Sequence, residues 1–134
     1  MADRTFLDSN ILLYALGDDD ARRQVAEALL TQRPVVSAQV LAEASSVLRR
    51  KFGREPSAIA KVLDEVLARV HCEPVSAQTV LSALHFGERL GYSHYDSQII
   101  AAALAADCSV LYSEDMQHGQ LIDGRLTIVN PFVA

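Results

Sequence analysis

The sequence predicts a single α/β domain, residues 1–134, in which helices cover both faces of a mainly parallel sheet. Two features of the chain predict this class. Short apolar runs alternate with longer segments whose apolar residues recur every three or four positions, and 134 residues are enough to bury one core. Strands joined by helical crossovers pair in parallel. No internal repeat or linker divides the chain.

The predicted strands are short apolar runs bounded by polar or turn-forming residues. They cover residues 4–7, 34–37, 71–75, 109–113 and 126–129. Pro74 confines the third strand to a sheet edge, because proline cannot donate a hydrogen bond to a neighbouring strand. Asn130 and Pro131 end the fifth strand.

The predicted helices follow apolar stripes and capping residues. A first helix or helical turn opens at Asn10, and longer helices cover residues 21–32, 38–52, 56–70, 77–90 and 95–106. Ser37 and Ser76 are suitable N-caps, since a serine oxygen accepts from a free N–H of the first turn. Gly53 and Gly91 follow helix ends, where glycine adopts the left-handed conformation readily.

Composition and charge limit the function class. Hydrophobic residues make up 50% of the chain and charged residues 22%, which is typical of a soluble folded protein. No apolar run reaches the roughly 18–20 residues of a membrane helix. Cys72 and Cys108 form no CxxC pair, which suits reduced thiols in a cytoplasmic protein and argues against a zinc site. The net charge of −5 argues against a uniformly basic nucleic-acid surface, although a local basic patch remains compatible with it.

Four acids form the candidate site. The carboxyl end of a strand is where ligands bind in open α/β sheets, and Asp8 and Asp115 each follow a predicted strand. Glu43 and Asp96 lie on helices that could direct a carboxylate toward Asp8. Carboxylates crowded in one crevice raise one another's pKa and favour a bound cation. All-oxygen ligands favour Mg²⁺ or Mn²⁺ over zinc or copper.

Each acid also has a structural interpretation. Asp8 is a good helix N-cap. Ser93 and Asp96 match a capping box with a shorter acid than usual. Glu43 borders the apolar stripe of its helix, where a surface glutamate is also common, and Asp115 suits a solvated loop.

At these residues the chain resembles a known family. The segments that carry the resemblance are FLDSNILLYA, QVLAEASSVLRR, YSHYDSQIIAAAL, LYSEDMQHG and VNPF. They resemble a PIN domain and, more narrowly, the VapC-type toxins of bacterial toxin–antitoxin pairs. The resemblance implies a five-stranded, mainly parallel sheet in the order 3-2-1-4-5 and a Mg²⁺- or Mn²⁺-dependent ribonuclease, usually dimeric. Its partner would be a small antitoxin that occupies the active-site groove.

The resemblance also assigns residues. The family's acidic positions are matched by Asp8, Glu43, Asp96 and Asp115. Asn10 and Ser113 match polar residues that support the first and last acids. Many relatives carry a further aspartate two residues after the one matching Asp115, where this chain has Gln117. The glutamine at this position argues against a second bound metal ion and against full catalytic activity, but it does not affect the first metal site.

Two further residues are candidate RNA contacts. Arg50 belongs to a basic cluster at the end of the 38–52 helix and shares the helix edge of Glu43. The helix dipole favours basic residues there in any case. His118 lies three residues after Asp115 and could contact substrate.

The leading prediction is therefore an endoribonuclease toxin that hydrolyses RNA through metal-activated water. The alternative is a catalytically silent or weak PIN-like module whose acids hold one structural cation. A phosphotransfer or phosphatase domain would need a lysine near its aspartate nucleophile, and neither Lys51 nor Lys61 follows the fourth or fifth strand.

Overall fold

The computed structural model describes residues 4–133. Residues 1–3 and 134 of the predicted domain lie outside that range. The elements, in chain order, are β1 Thr5–Leu7, α1 Ser9–Ala15, α2 Asp20–Leu30, β2 Val35–Ser37, α3 Ala38–Arg50, α4 Pro56–Leu67, β3 His71–Glu73, α5 Ala77–Leu90, α6 His94–Ala105, β4 Val110–Tyr112, β5 Leu121–Ile122 and β6 Leu126–Val129.

One mixed sheet organises the described residues, with the strand order β3-β2-β1-β4-β6-β5. Five neighbouring strands, β3, β2, β1, β4 and β6, are parallel, which confirms the predicted order 3-2-1-4-5 for the five predicted strands. A sixth strand, β5, was not predicted and pairs antiparallel with β6 at the sheet edge. Two residues are too few to show an alternating pattern, so this strand has no signal in the sequence.

The sheet is covered on both faces. Successive side chains of a strand point to opposite faces, and Phe6 and Leu7 of β1 are both fully buried. Residues 97–104 of α6 are all buried, so this part of the helix is buried around its whole circumference and lies within the core. Among the helices that the structure describes, none is both long and apolar enough to cross a membrane.

Some helix ends differ from prediction. The 38–52 helix ends at Arg50, because the chain turns through Gly53 at a φ of 62° and Arg54 N–H bonds to the Leu48 carbonyl. Phe52 is left 62% exposed beyond that end. Gly91 ends α5 with a φ of 80°, as its position predicted. These ends depend on turns and contacts that periodicity alone does not specify.

Candidate active site at the carboxyl edge of the sheet

Asp8 lies at the junction of β1 and α1, and it serves both structure and site. Its Oδ1 accepts from the Ser9 backbone N–H at 2.7 Å, so Asp8 is the N-cap of α1. Its Oδ2 accepts from the Ser113 hydroxyl at 2.8 Å. The residue is only 4% exposed. The two oxygens of one carboxylate therefore divide the capping and site roles.

Burial has a large effect on this carboxylate. It raises the pKa of Asp8 from 3.8 to about 6, although the hydrogen bonds from Ser113 and Ser9 oppose the shift. The negative charges of Glu43 and Asp96 contribute smaller parts of the same rise in the pKa of Asp8. Both causes disfavour the charged form, one through desolvation and the other through repulsion.

The segment after β4 carries the last acid, and α1 holds it. Asn10 Nδ2 donates to Asp115 Oδ2 at 3.0 Å, and Asn10 Oδ1 accepts from the Glu114 backbone N–H at 3.2 Å. The Asp115 N–H donates to Ser113 Oγ at 3.2 Å. Ser113 therefore contacts both the first and the last acid.

Asp96 lies in the first turn of α6. Its backbone N–H donates to Ser93 Oγ at 3.2 Å, so Ser93 is the N-cap of this helix, as the capping-box interpretation requires. Burial raises the pKa of Asp96, and the charge of Asp115 adds to the rise, while the Ser93 hydroxyl lowers it. This capping interaction uses the backbone N–H of Asp96 and does not require its carboxylate.

Glu43 extends from α3 and is partly buried. Gln39, one turn earlier on the same helix, donates from Nε2 to Glu43 Oε2 at 3.3 Å. The charges of Glu43 and Asp96 act on Asp8, and the charge of Asp115 acts on Asp96, at the carboxyl edge of the parallel strands where such sheets bind ligands.

With the geometry established, comparison with known proteins identifies the family. A family model for the PIN domain matches residues 5–121. The chain belongs to the PIN domain family. A comparison with curated proteins found no significant match.

Solved structures share the fold of this PIN domain. Mycobacterium tuberculosis VapC20, described as a sarcin–ricin loop cleaving toxin, is 25% identical with a TM-score of 0.68, over 83% of this chain and 89% of that one. A toxin–antitoxin complex from Klebsiella pneumoniae is 16% identical with a TM-score of 0.72, over 96% of this chain and 98% of that one. VapBC2 from Rickettsia felis, bound to a promoter DNA fragment, is 21% identical with a TM-score of 0.67, over 92% of this chain and 96% of that one. VapC toxins are thus among the structural neighbours of this PIN domain, in agreement with the resemblance seen in the sequence.

The donor chemistry of the PIN-domain site suits a hard cation. Within residues 4–133, no group of three or more His, Cys, Asp or Glu side chains is spaced to hold one metal ion. Mg²⁺, however, is commonly held by one or two carboxylates and keeps several waters. The oxygen ligands and the repulsion acting on Asp8 and Asp96 fit such an ion. Its ligands would come from Asp8, Glu43, Asp96 and Asp115.

The two candidate RNA contacts lie apart from this network. Arg50 is exposed and donates from Nε to Ser46 Oγ at 3.1 Å on its own helix. The exposed His118 accepts at Nδ1 from the Asn130 backbone N–H at 2.9 Å. In the part of the chain that the structure describes, neither side chain hydrogen-bonds to one of the four acids.

A cluster that the sequence did not predict surrounds Glu114, the residue before the last acid. The Tyr14 hydroxyl and Arg22 Nη1 each donate to one Glu114 oxygen at 2.7 Å. The hydrogen bond to Glu114 raises the pKa of Tyr14. The Arg22 guanidinium lies 4.8 Å from the centre of the Phe132 ring. We call Tyr14, Arg22, Glu114 and Phe132 the Glu114 cluster; it ties the segment carrying Asp115 to α1 and α2.

Gln39 and Gln98 were not predicted as site residues either, and they join α3 to α6 by a 2.8 Å hydrogen bond between their amides. One sequence signal was present for Gln39, because it lies four residues before Glu43 and so faces the same side of the helix. Gln98 had a weaker signal, as an amide two residues after Asp96 within an apolar helix.

Proposed function

We propose that this PIN domain is a metal-dependent endoribonuclease toxin of a toxin–antitoxin pair. The observation that carries the proposal is the buried, hydroxyl-bound carboxylate of Asp8, on which the negative charges of Glu43 and Asp96 act. The description of VapC20 as a loop-cleaving toxin supports RNA as the substrate. The reaction is hydrolysis of a phosphodiester bond by water.

Polar side chains of the protein prepare this reaction by holding the acidic carboxylates in position. Ser9 and Ser113 fix the two oxygens of Asp8, and Asn10 directs Asp115 toward the same crevice. When bound, Mg²⁺ or Mn²⁺ would provide water activation and stabilisation of negative charge on the leaving oxygen. Asp8, Asp115, Asp96 and Glu43 would hold the ion. Glu43 or Asp96 can also orient the attacking water by accepting its hydrogen bond.

The proposed protein partner is a cognate antitoxin. A cavity of about 500 Å³ lies beside Asn10, between α1 and the end of α3. Leu13, Val47 and Phe52 are among its apolar lining residues, and charged residues of both signs also line it. An apolar groove of mixed charge suits an amphipathic protein segment. The Klebsiella neighbour, a toxin–antitoxin complex, supports this kind of partner.

We also propose that Arg50 and His118 contact the RNA substrate. The protein is further proposed to act in the cytoplasm as a homodimer. Static light scattering of the purified chain tests the dimer. A monomer at micromolar concentration would contradict it.

Cleavage of RNA tests the enzymatic proposal. Wild type, Asp8→Asn and Asp64→Asn are incubated with total RNA in EDTA, Mg²⁺ or Mn²⁺. Asp64 is an exposed acid of α4 and serves as the matched control. We expect discrete fragments from wild type and Asp64→Asn, only with metal, and none from Asp8→Asn. Metal binding without cleavage would favour the silent module, and cleavage by Asp8→Asn would exclude this site.

Growth tests the toxin role separately. Expression of wild type should halt growth, and co-expression of the cognate antitoxin should restore it. Equal growth with and without induction, at verified protein levels, would contradict a toxin even if RNA is cleaved in vitro.

A further inference from the structure

A chain of four polar side chains runs from the exposed start of α6 to the acidic crevice. His94 Nε2 lies 2.9 Å from Gln98 Oε1, and Gln98 Nε2 donates to Gln39 Oε1 at 2.8 Å. Gln39 Nε2 then donates to Glu43 Oε2 at 3.3 Å. The chain therefore ends on one of the four acids.

The direction of every hydrogen bond in this chain is determined. Gln39 Nε2 also donates to the Tyr95 carbonyl at 3.0 Å, and a carbonyl oxygen can only accept. Both N–H bonds of the Gln39 amide are thus committed, one to Tyr95 and one to Glu43. Its oxygen must accept from Gln98, whose own oxygen must accept from His94 Nε2–H. Both the neutral and the charged forms of His94 can supply that proton.

Burial makes the orientation of these amides specific. Gln39 is 9% exposed and Gln98 is 7% exposed. Buried polar groups are costly unless they are paired, so alternative orientations that leave an amide group unpaired are disfavoured. A satisfied buried network of this kind holds its members in one geometry.

The contacts of Gln39 join Glu43 on α3 to the backbone next to Asp96 on α6. Its amide binds the Glu43 carboxylate on α3 and the Tyr95 carbonyl of α6, which belongs to the peptide unit preceding Asp96. Asn10 and Ser113 make equivalent connections between the acids that follow β1 and β4. Gln39 thus links Glu43 to the start of α6, as Ser113 links Asp8 to the Asp115 backbone.

We infer that Gln39 is a positioning residue of the site, which fixes the Glu43 carboxylate relative to the first turn of α6 through its two donated hydrogen bonds. The inference rests on the proposed metal-dependent function, because a positioned Glu43 matters through the cation it helps to hold. Residues that orient metal ligands typically affect metal affinity by about 10- to 100-fold.

Calorimetric titration of the metal-free protein with Mn²⁺ tests this inference without reference to RNA cleavage. Gln39→Met keeps the side-chain length and removes both donors, and we expect its Kd for Mn²⁺ to rise about 10-fold. Gln78→Met, at an exposed glutamine of α5, is the matched control and should bind as wild type does.

A double-variant cycle separates positioning from a general structural effect. If Gln39 acts through Glu43, adding Gln39→Met to Glu43→Gln should weaken Mn²⁺ binding no further. If Gln39 had a merely structural role, Gln39→Met would lower the melting temperature. It would leave the Kd for Mn²⁺ unchanged, both in the wild-type background and in Glu43→Gln. If Gln39→Met does not fold, Gln39→Asn withdraws the amide by one methylene and should show the same loss.

The outcomes distinguish this inference from the function on which it rests. If wild type binds neither Mn²⁺ nor Mg²⁺, the proposed metal-dependent function and the inference both fail. If wild type binds Mn²⁺ and folded Gln39→Met binds it equally tightly, the inference alone fails. Additive losses in the double variant would also overturn it.

Discussion

The Ser113 hydroxyl donates to Asp8 Oδ2 at 2.8 Å, although the two residues are 105 positions apart in the chain. The parallel register explains this contact. Leu7, the last residue of β1, is paired with Tyr112, the last residue of β4, so the residues that follow them, Asp8 and Ser113, are neighbours. Both side chains are buried. The β1–β4 pair thus places a hydroxyl donor against a carboxylate that has little access to water.

Ser113→Ala should destabilise the metal-free protein by about 1–3 kcal/mol, because it leaves the buried Asp8 oxygen without its donor. Urea denaturation in EDTA measures the change. Ser109→Ala is the matched control, since the buried Ser109 Oγ has no hydrogen-bond partner within the described residues. Equal losses in the two variants would contradict a specific role for the Ser113 hydroxyl.

The stability of the metal-free protein should fall as pH rises from 4 to 7. The folded pKa of Asp8, about 6, exceeds the usual aspartate value of 3.8, so folding favours the protonated form across this window. The full effect is about 3 kcal/mol, at roughly 1.4 kcal/mol per pKa unit. Asp8→Asn should be more stable than wild type at pH 7.5 and show a weaker pH dependence. Parallel pH profiles of the two proteins, measured by urea denaturation, would contradict this assignment.

Asp96→Asn separates the site role of Asp96 from its capping context. Repulsion within the crevice predicts that this variant melts at a higher temperature than wild type without metal and loses the stabilisation by Mg²⁺ or Mn²⁺. That stabilisation in wild type should reach about 2.7 kcal/mol at a metal concentration 100 times Kd. Thermal scans with and without metal measure both effects. A lower melting temperature with an intact metal response would favour a structural role for Asp96.

Disruption of the Glu114 cluster should loosen the segment that carries Asp115. Arg22→Ala removes an ion pair with Glu114 and the ring contact with Phe132, and we expect a loss of about 1 kcal/mol. Urea denaturation measures it, and calorimetry should show weaker Mn²⁺ binding. Arg23→Ala breaks a more exposed ion pair with Asp20 on the same helix and is the control. A wild-type Mn²⁺ affinity in Arg22→Ala would separate this cluster from the site.

Arg50→Ala should weaken RNA binding and reduce the salt slope of the binding constant by about one unit, as the loss of one phosphate contact predicts. Fluorescence anisotropy in the Asp8→Asn background measures binding without cleavage. Lys61→Ala, at an exposed cation of α4, is the control. An unchanged slope would exclude Arg50 as a phosphate ligand.

The sequence predicted most elements of the fold because their signals are local. The α6 stripe and the strand at 126–129 were visible as periodic apolar patterns, and the latter has the predicted bounds. The end of α3 and the strand β5 were missed, since both depend on turns and on pairing with distant residues. Hydrophobic periodicity contains no information of that kind.

The sequence by itself determined the α/β class, the family resemblance and the four candidate acids, because each depends on a residue pattern within a short segment. Only the tertiary structure decided how these acids are held. Asn10, Gln39 and Ser113 reach partners far away in the chain, from Gln39 to Tyr95 across 56 positions and from Ser113 to Asp8 across 105. Strand register and helix packing bring such residues within 3 Å of each other, and a pattern along one segment cannot specify either of them.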